Sequence, residues 1–120
     1  MTKSDLSTGD IVLVPFPFSD LKNQKLRPAL IVSSQIVNDR ESDVTLVFIS
    51  SVVPLDHEPY ECIFKKNHAD FKQSGLKKES VFKMQKIATV EKRLIKIRLG
   101  HLGKTIRKEL SLILPKAIHL

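Results

Sequence analysis

Arg27 stands directly before Pro28 and the apolar run Ala29-Leu30-Ile31-Val32. The proline fixes its own φ and restricts the preceding residue to extended backbone, so the guanidinium is expected at a connector–strand junction. A guanidinium offers several donors in a planar fork and stays charged at ordinary pH, which suits it to clamping a phosphate rather than accepting a proton. The plainer reading is a surface arginine paired with Asp20 or Asp43. Ser50 and Ser51 follow the apolar run Val44 to Ile49. A hydroxyl at a strand end can donate to a phosphate oxygen or merely satisfy a turn. Lys83 and Lys86, interleaved with Met84 and Gln85, place cations along a strand, either facing phosphates on one side or facing solvent. His57-Glu58 is either a proton shuttle near neutral pH or an exposed hairpin. The four histidines, His57, His68, His101 and His119, lack metal-ligand spacing, and the single cysteine excludes a disulfide framework and a Cys-based zinc cluster. No metal and no cofactor is therefore expected. Cys62, between Glu61 and Ile63, reads as a small core residue rather than a nucleophile.

Positioning such groups requires a folded core. At 120 residues, with 42% hydrophobic and 28% charged side chains, the chain reads as a single domain, 1–120, and not as a disordered segment. No secretory h-region follows the first residues and no apolar run approaches a membrane span, so a cytoplasmic protein without a membrane partner is expected. Charge is uneven. Residues 1–60 hold five Lys/Arg against eight Asp/Glu, and residues 61–120 hold fifteen against five, within a net +7. A basic half favours a polyanion or an acidic protein, though a lysine-rich solvated surface explains it about equally well. With six Phe, one Tyr and no Trp, stacking platforms for bases must be sparse.

The apolar patterning predicts many short strands. Ile11 to Val14, continuing to Phe16 and Phe18, reads as a buried strand, with Pro15 and Pro17 forcing an edge or bulge near its end. A polar connector, 19–25, leads to strands at 29–32, 44–49 and about 60–64. Asn38 to Asp43 reads as a loop. Asn67, with Asp70 three residues on and Gly75 beyond, predicts a short helix over 68–73. Strands follow at 80–89 and 94–99. Ile106, Leu110, Ile113 and Leu114 then share one helical face, with Pro115 limiting that helix. The sum is a small, mostly β, strongly curved barrel closed by a helix.

Gly9-Asp10-Ile11-Val12-Leu13-Val14 followed by Arg27-Pro28-Ala29-Leu30-Ile31-Val32 resembles the amino-terminal signature of the PemK/MazF toxin family. The likeness continues at Phe48-Ile49-Ser50-Ser51, at Gly75-Leu76-Lys77-Lys78-Glu79-Ser80-Val81 and at Ile97-Arg98-Leu99-Gly100-His101-Leu102, in order over roughly 9–114. The resemblance implies an α+β fold, a compact SH3-like β-barrel of the MazF/CcdB toxin type with a short internal helix and a C-terminal helix. It implies the toxin of a type II toxin–antitoxin system, a homodimer that cleaves single-stranded RNA (mRNA) without a metal ion and is blocked by an acidic cognate antitoxin. It assigns Arg27 the catalytic arginine role and sets Ser50 where the family's catalytic threonine sits. Lys22, Gln24, Lys25, Ser51, His57, Lys83, Gln85 and Lys86 are then expected along the RNA. Asn38 and Arg40 either contact RNA or shape their loop.

The chain also departs from the pattern. The connector's Glu-Gln falls at Lys22 and Asn23, its histidine at Leu21, and an acidic residue before the fifth-strand glutamine is Met84. No general acid or base is inherited from these positions. A non-catalytic member that binds RNA or antitoxin is therefore the main alternative. A CcdB-like gyrase inhibitor is a weaker one, since the chain ends Lys116-Ala117-Ile118-His119-Leu120 without the tryptophan of that contact.

Overall fold

The computed structural model describes residues 5–15 and 25–120. Six strands run β1 (Asp10–Pro15), β2 (Leu26–Ile31), β3 (Asp43–Ser50), β4 (Glu61–Phe64), β5 (Ser80–Glu91) and β6 (Ile97–His101). They form one antiparallel sheet in the order β4-β5-β3-β2-β1-β6, curled into a half-barrel. Among the described residues three helices accompany it, α1 (Gln35–Arg40) between β2 and β3, α2 (Phe71–Ser74) between β4 and β5, and α3 (Lys104–Ala117) at the carboxyl end. Among the described residues no helix is long and apolar enough to cross a membrane. The expected mostly β architecture with a terminal helix is what the chain adopts.

Alternation along the strands feeds two cores, one on each face of the sheet. Ile11, Leu30, Val47, Ile49, Phe64, Phe82 and Met84 pack with Ile106 and Leu110 of α3. Val12, Val14, Ala29, Ile31, Val44, Leu46 and Val90 pack on the opposite face with Leu6 and Ile95. In β5 the even-numbered Phe82 and Met84 face the first core and Ala88 and Val90 the second, because its register against β3 jumps. Val47 pairs with Ile87, but the next residue, Phe48, pairs with Lys83. The three residues 84–86 are thus extra, and a bulge of this kind reverses which alternate residues point inward beyond it.

The half-barrel is drawn together by a seam between α2 and β6 in which backbone meets backbone. Gly75 ends α2 in the left-handed region, at φ 77°, as a glycine helix terminator should. A Cβ on Gly75 would strike the Leu99 carbonyl, and one on Gly100 would strike the Gln73 and Ser74 carbonyls. At the far end of β1 the buried Asp10 accepts from the Ser7 amide at 2.8 Å and from His101 Nδ1 at 2.7 Å, tying β6 to β1.

Several local expectations are corrected. Residues read as the start of a loop belong to α1, because this helix is inside-out. Ile36 and Val37 are exposed while Asn38 is buried. Asn38 donates to the Ser33 carbonyl at 3.1 Å and to Thr8 Oγ1 at 3.3 Å, and Ser33 Oγ donates to its side-chain oxygen. Its side chain therefore anchors a helix rather than facing a ligand. Asp70, not Asn67, precedes α2, and its carboxylate accepts from the Ile106 amide at 2.8 Å. It caps α3 instead of its own helix. Pro115 lies inside α3, which continues to Ala117; near a helix end few bonds remain for proline to break. The strand expected from 94 starts at Ile97, after a single 3-10 turn at Lys92–Leu94. β1 is interior to the sheet and ends at Pro15, with its irregularity at Ile11/Val12. Phe16, Pro17, Phe18 and residues 19–24 lie outside the described residues.

Candidate functional site

Directly paired residues of an antiparallel sheet share a face, so one row can be followed across the strands. Ala29 pairs with Phe48, Phe48 with Lys83, and Lys83 with Glu61. Ala29 and Phe48 pack on the face away from α3, so the row belongs to that face. Pro28 has no amide proton to give to β3, and the β2–β3 ladder has Ala29–Phe48 as its last pair. Carried two residues further, the same register sets Arg27 against Ser50 at the loose ends of their strands. Asp43, a possible partner for Arg27 by sequence, lies at the opposite end of β3.

The half-buried ring of Phe48 is the hub of this region. The Arg27 guanidinium carbon lies 5.9 Å from its centroid and Lys86 Nζ lies 5.8 Å from it. Both distances fall within cation–π range. Lys83 and Lys86 are three residues apart, which on a regular strand would set them on opposite faces. The β5 bulge brings both to Phe48. Two cations gathered at one half-buried ring form a place where an anion is favoured and a base could stack on the ring's open part. Phe48 was missed as a site residue because its position in an alternating strand reads as core.

Ser50 Oγ accepts from the Val52 amide at 3.1 Å. That bond occupies an acceptor position and leaves the hydroxyl proton available for donation. Ser51 and His57 are exposed in the segment after β3, as is Lys25 before β2. Lys22 and Gln24 lie outside the described residues. The structure thus sets Arg27 and Lys86 at Phe48, Lys83 and Gln85 at one carboxylate on the same face, and Ser50 opposite Arg27 by register, while among the described residues no hydrogen bond or ion pair joins Ser51, His57 or Lys25 to them.

Behind the cations lies a carboxylate that sequence reasoning passed over. Glu61 is 6% exposed. Its Oε2 accepts from Gln85 Nε2 at 2.8 Å and lies 3.4 Å from Lys83 Nζ, while its Oε1 accepts from the Glu58 amide at 3.2 Å. Burial works to raise its pKa, but Gln85, the Glu58 amide and the Lys83 charge together hold it below the ordinary value of 4.5. It is an ionised acceptor near neutrality and a poor proton-accepting base. The signal available in the sequence was its pairing position on β4, which only the β5 register discloses. Cys62 is buried beside it, and burial, with the Glu109 charge second, pushes its thiol up to about 11. A thiol so protonated is no nucleophile.

Among the described residues no cluster of three His, Cys, Asp or Glu side chains could hold a metal ion. A separate cavity of about 170 Å³ lies between α3 and the other face of the sheet, lined mainly by Leu30, Val32, Met84, Leu102, Leu110 and Leu114. It contains none of the Arg27, Ser50 or Phe48 groups and is an apolar gap in the packing of α3.

Comparison with known structures supports the same fold. An endoribonuclease in complex with its cognate antitoxin from a mycobacterial species is similar with a TM-score of 0.73 at 18% identity, covering 93% of each chain. The Mycobacterium tuberculosis toxin MazF-mt6 gives 0.70 at 19% identity, over 90% of this chain and 94% of that one. MazF from Deinococcus radiodurans gives 0.68 at 17%, over 92% and 94%. No individual curated protein matches the chain in sequence. The model of a PemK-like, MazF-like toxin of type II toxin–antitoxin systems matches residues 7–118. With nearly its whole length matched, the chain belongs to that family of toxins.

Proposed function

We propose that this toxin is a sequence-selective endoribonuclease that cuts single-stranded RNA by attack of a 2′-hydroxyl on the adjacent phosphorus, without a metal ion. The observation that carries this is the gathering of Arg27, Phe48 and Lys86 beside Ser50 on one open end of the sheet in a chain of this family. A bond forms from the 2′-oxygen to phosphorus and the bond to the 5′-oxygen breaks. The 2′-hydroxyl loses its proton and the 5′-oxygen gains one, so the products are a 2′,3′-cyclic phosphate and a 5′-hydroxyl. Arg27 stabilises the negative charge that grows on the phosphoryl oxygens, and the Ser50 hydroxyl donates to one of them. Lys86 attracts the backbone, and Phe48 provides a stacking surface. The toxin acts in the cytoplasm as a homodimer, and an acidic antitoxin competes for the same cations. The similar mycobacterial endoribonuclease was solved with its cognate antitoxin.

One observation favours a second reading, a toxin that binds RNA without cutting. Glu61, paired with Lys83 and hydrogen-bonded by Gln85, is held ionised with a lowered pKa and is no ready base. Incubation with a long single-stranded RNA in excess EDTA, with the ends mapped, separates the two. Discrete cuts with cyclic phosphate ends establish the endoribonuclease, and intact RNA that is nonetheless bound establishes the second reading. Arg27→Ala is expected to reduce cutting by at least ~10²-fold, the scale for one lost transition-state donor. Its melting temperature should stay near the parent's, because Arg27 is exposed.

A further inference from the structure

An ionised carboxylate is an acceptor only, whereas a glutamine side chain has a donor end and an acceptor end. Which end faces which partner is therefore dictated wherever the two meet. Glu61 Oε2 and Gln85 are 2.8 Å apart, so the amide must turn its nitrogen to Glu61. The carbonyl oxygen is then directed away from the carboxylate. Gln85 is exposed, within the three-residue bulge that also carries Lys86 to the Phe48 ring. Glu61 has little freedom to do otherwise, because it is buried and its other oxygen is engaged by the Glu58 amide at 3.2 Å. Lys83, at 3.4 Å, completes its partners.

We propose that Glu61 is a positioning residue that locks the Gln85 amide with its carbonyl oxygen outward, so that one position of the bound RNA is read for an exocyclic amino group. The proposal rests on the endoribonuclease reading and names a determinant of its selectivity. Adenine and cytosine carry such an amino group, at N6 and N4, where guanine and uracil present the carbonyl oxygens O6 and O4. An outward acceptor satisfies the first two and meets guanine's O6 or uracil's O4 with oxygen against oxygen. The same contact gives Glu61 a second effect. By pairing with Lys83 it withholds one cation from the RNA backbone, so general attraction is lowered while base discrimination is raised.

The test is the cut-site profile on a randomised single-stranded RNA pool for the parent, Glu61→Gln, Glu61→Asp and Gln85→Met. The parent is expected to disfavour guanine and uracil at one position by about tenfold or more, the scale of one base-directed hydrogen-bond pair. In Glu61→Gln the facing group can donate as well as accept, Gln85 is released to flip, and that discrimination should fall to within about threefold. Affinity for RNA of any sequence should rise at the same time, because Lys83 is freed. A merely structural injury would lower both. Glu61→Asp, still an acceptor only, should retain discrimination against guanine and uracil. Gln85→Met removes the acceptor at an exposed position and should lose the discrimination even if the Glu61 variants fail to fold. A parent that cuts with no discrimination against guanine and uracil overturns the proposal, as does a folded Glu61→Gln whose profile is unchanged. A parent that leaves all RNA intact overturns the endoribonuclease reading itself, a different result from an altered or unaltered profile.

Discussion

Individual side chains divide into those whose type announced a role and those whose role depends on a neighbour. Arg27 and Ser50 are of the first kind. A guanidinium ahead of a proline and a hydroxyl closing a strand are visible as residues, and the family resemblance joined them. Ser50→Thr keeps both the hydroxyl and the bond to the Val52 amide, and single-turnover cleavage should remain within a few-fold of the parent; a dead variant would separate Ser50 from the role given to it. Glu61 and Phe48 are of the second kind, since nothing in Tyr60-Glu61-Cys62 or Val47-Phe48-Ile49 says that the first meets Gln85 and the second meets two cations. Glu61 also carries a pH signature. Its folded pKa lies below the unfolded 4.5, so the native state binds fewer protons and stability rises with pH between the two values. Its contribution is complete above about pH 4.5 and is lost as pH falls through the lowered folded value. Thermal melts of parent and Glu61→Gln from pH 7 to 3 should therefore converge at the acid end.

At the scale of elements, periodicity was a sound guide wherever one face of a segment is buried. The α3 stripe obeys it, while the apolar runs at 11–14, 29–31 and 44–49 read as strands because both of their faces are buried. It failed at α1, where a buried asparagine and two exposed aliphatics invert the expected pattern, and tertiary hydrogen bonds to Ser33 and Thr8 stabilise what propensity would not. It was also blind to the β5 bulge, because an apolar alternation that slips phase reads as two weaker strands or one long one. Gly100 tests the fit between elements directly. Gly100→Ala forces a Cβ against the α2 backbone, an overpacking that costs about 1–3 kcal/mol or more. That should lower the melting temperature by roughly 5 °C or more. A melting temperature equal to the parent's would mean that α2 and β6 are not packed as described.

For the molecule as a whole, the excess of positive charge in the second half of the chain is spread from the segment between β4 and β5 through β5 and the turn after it to β6 and α3, rather than concentrated at Phe48. Attraction of RNA should therefore be long-ranged, with only a few cations making contact. Binding of a short single strand by the Arg27→Ala protein should weaken linearly on a plot of log affinity against log salt, by about 0.7 per phosphate neutralised. Adding Lys86→Ala should reduce that slope by about 0.7, whereas a distant lysine should leave it nearly unchanged. The fold class was legible in the sequence because short strands and one terminal helix leave few ways to pack. The meeting of β4 with the bulge of β5 was not, since it depends on pairing between strands that a 15-residue segment separates.

The seam at Gly75 and Gly100 also gives the molecule a direction in which it opens most easily. Strand pairs are held by ladders that break only together, whereas α2 lies on β6 through steric fit, with the strands at the two sheet ends, β4 and β6, unpaired with each other among the described residues. A thermal fluctuation can part these surfaces and expose Phe71 without disturbing the centre of the sheet. Amide protons of residues 71–75 should consequently exchange with deuterium through a subglobal opening, well before those at the centre of the β3–β5 ladder. The half-barrel would then breathe along one line, and the floor beneath Arg27 and Phe48 would remain rigid while it does so.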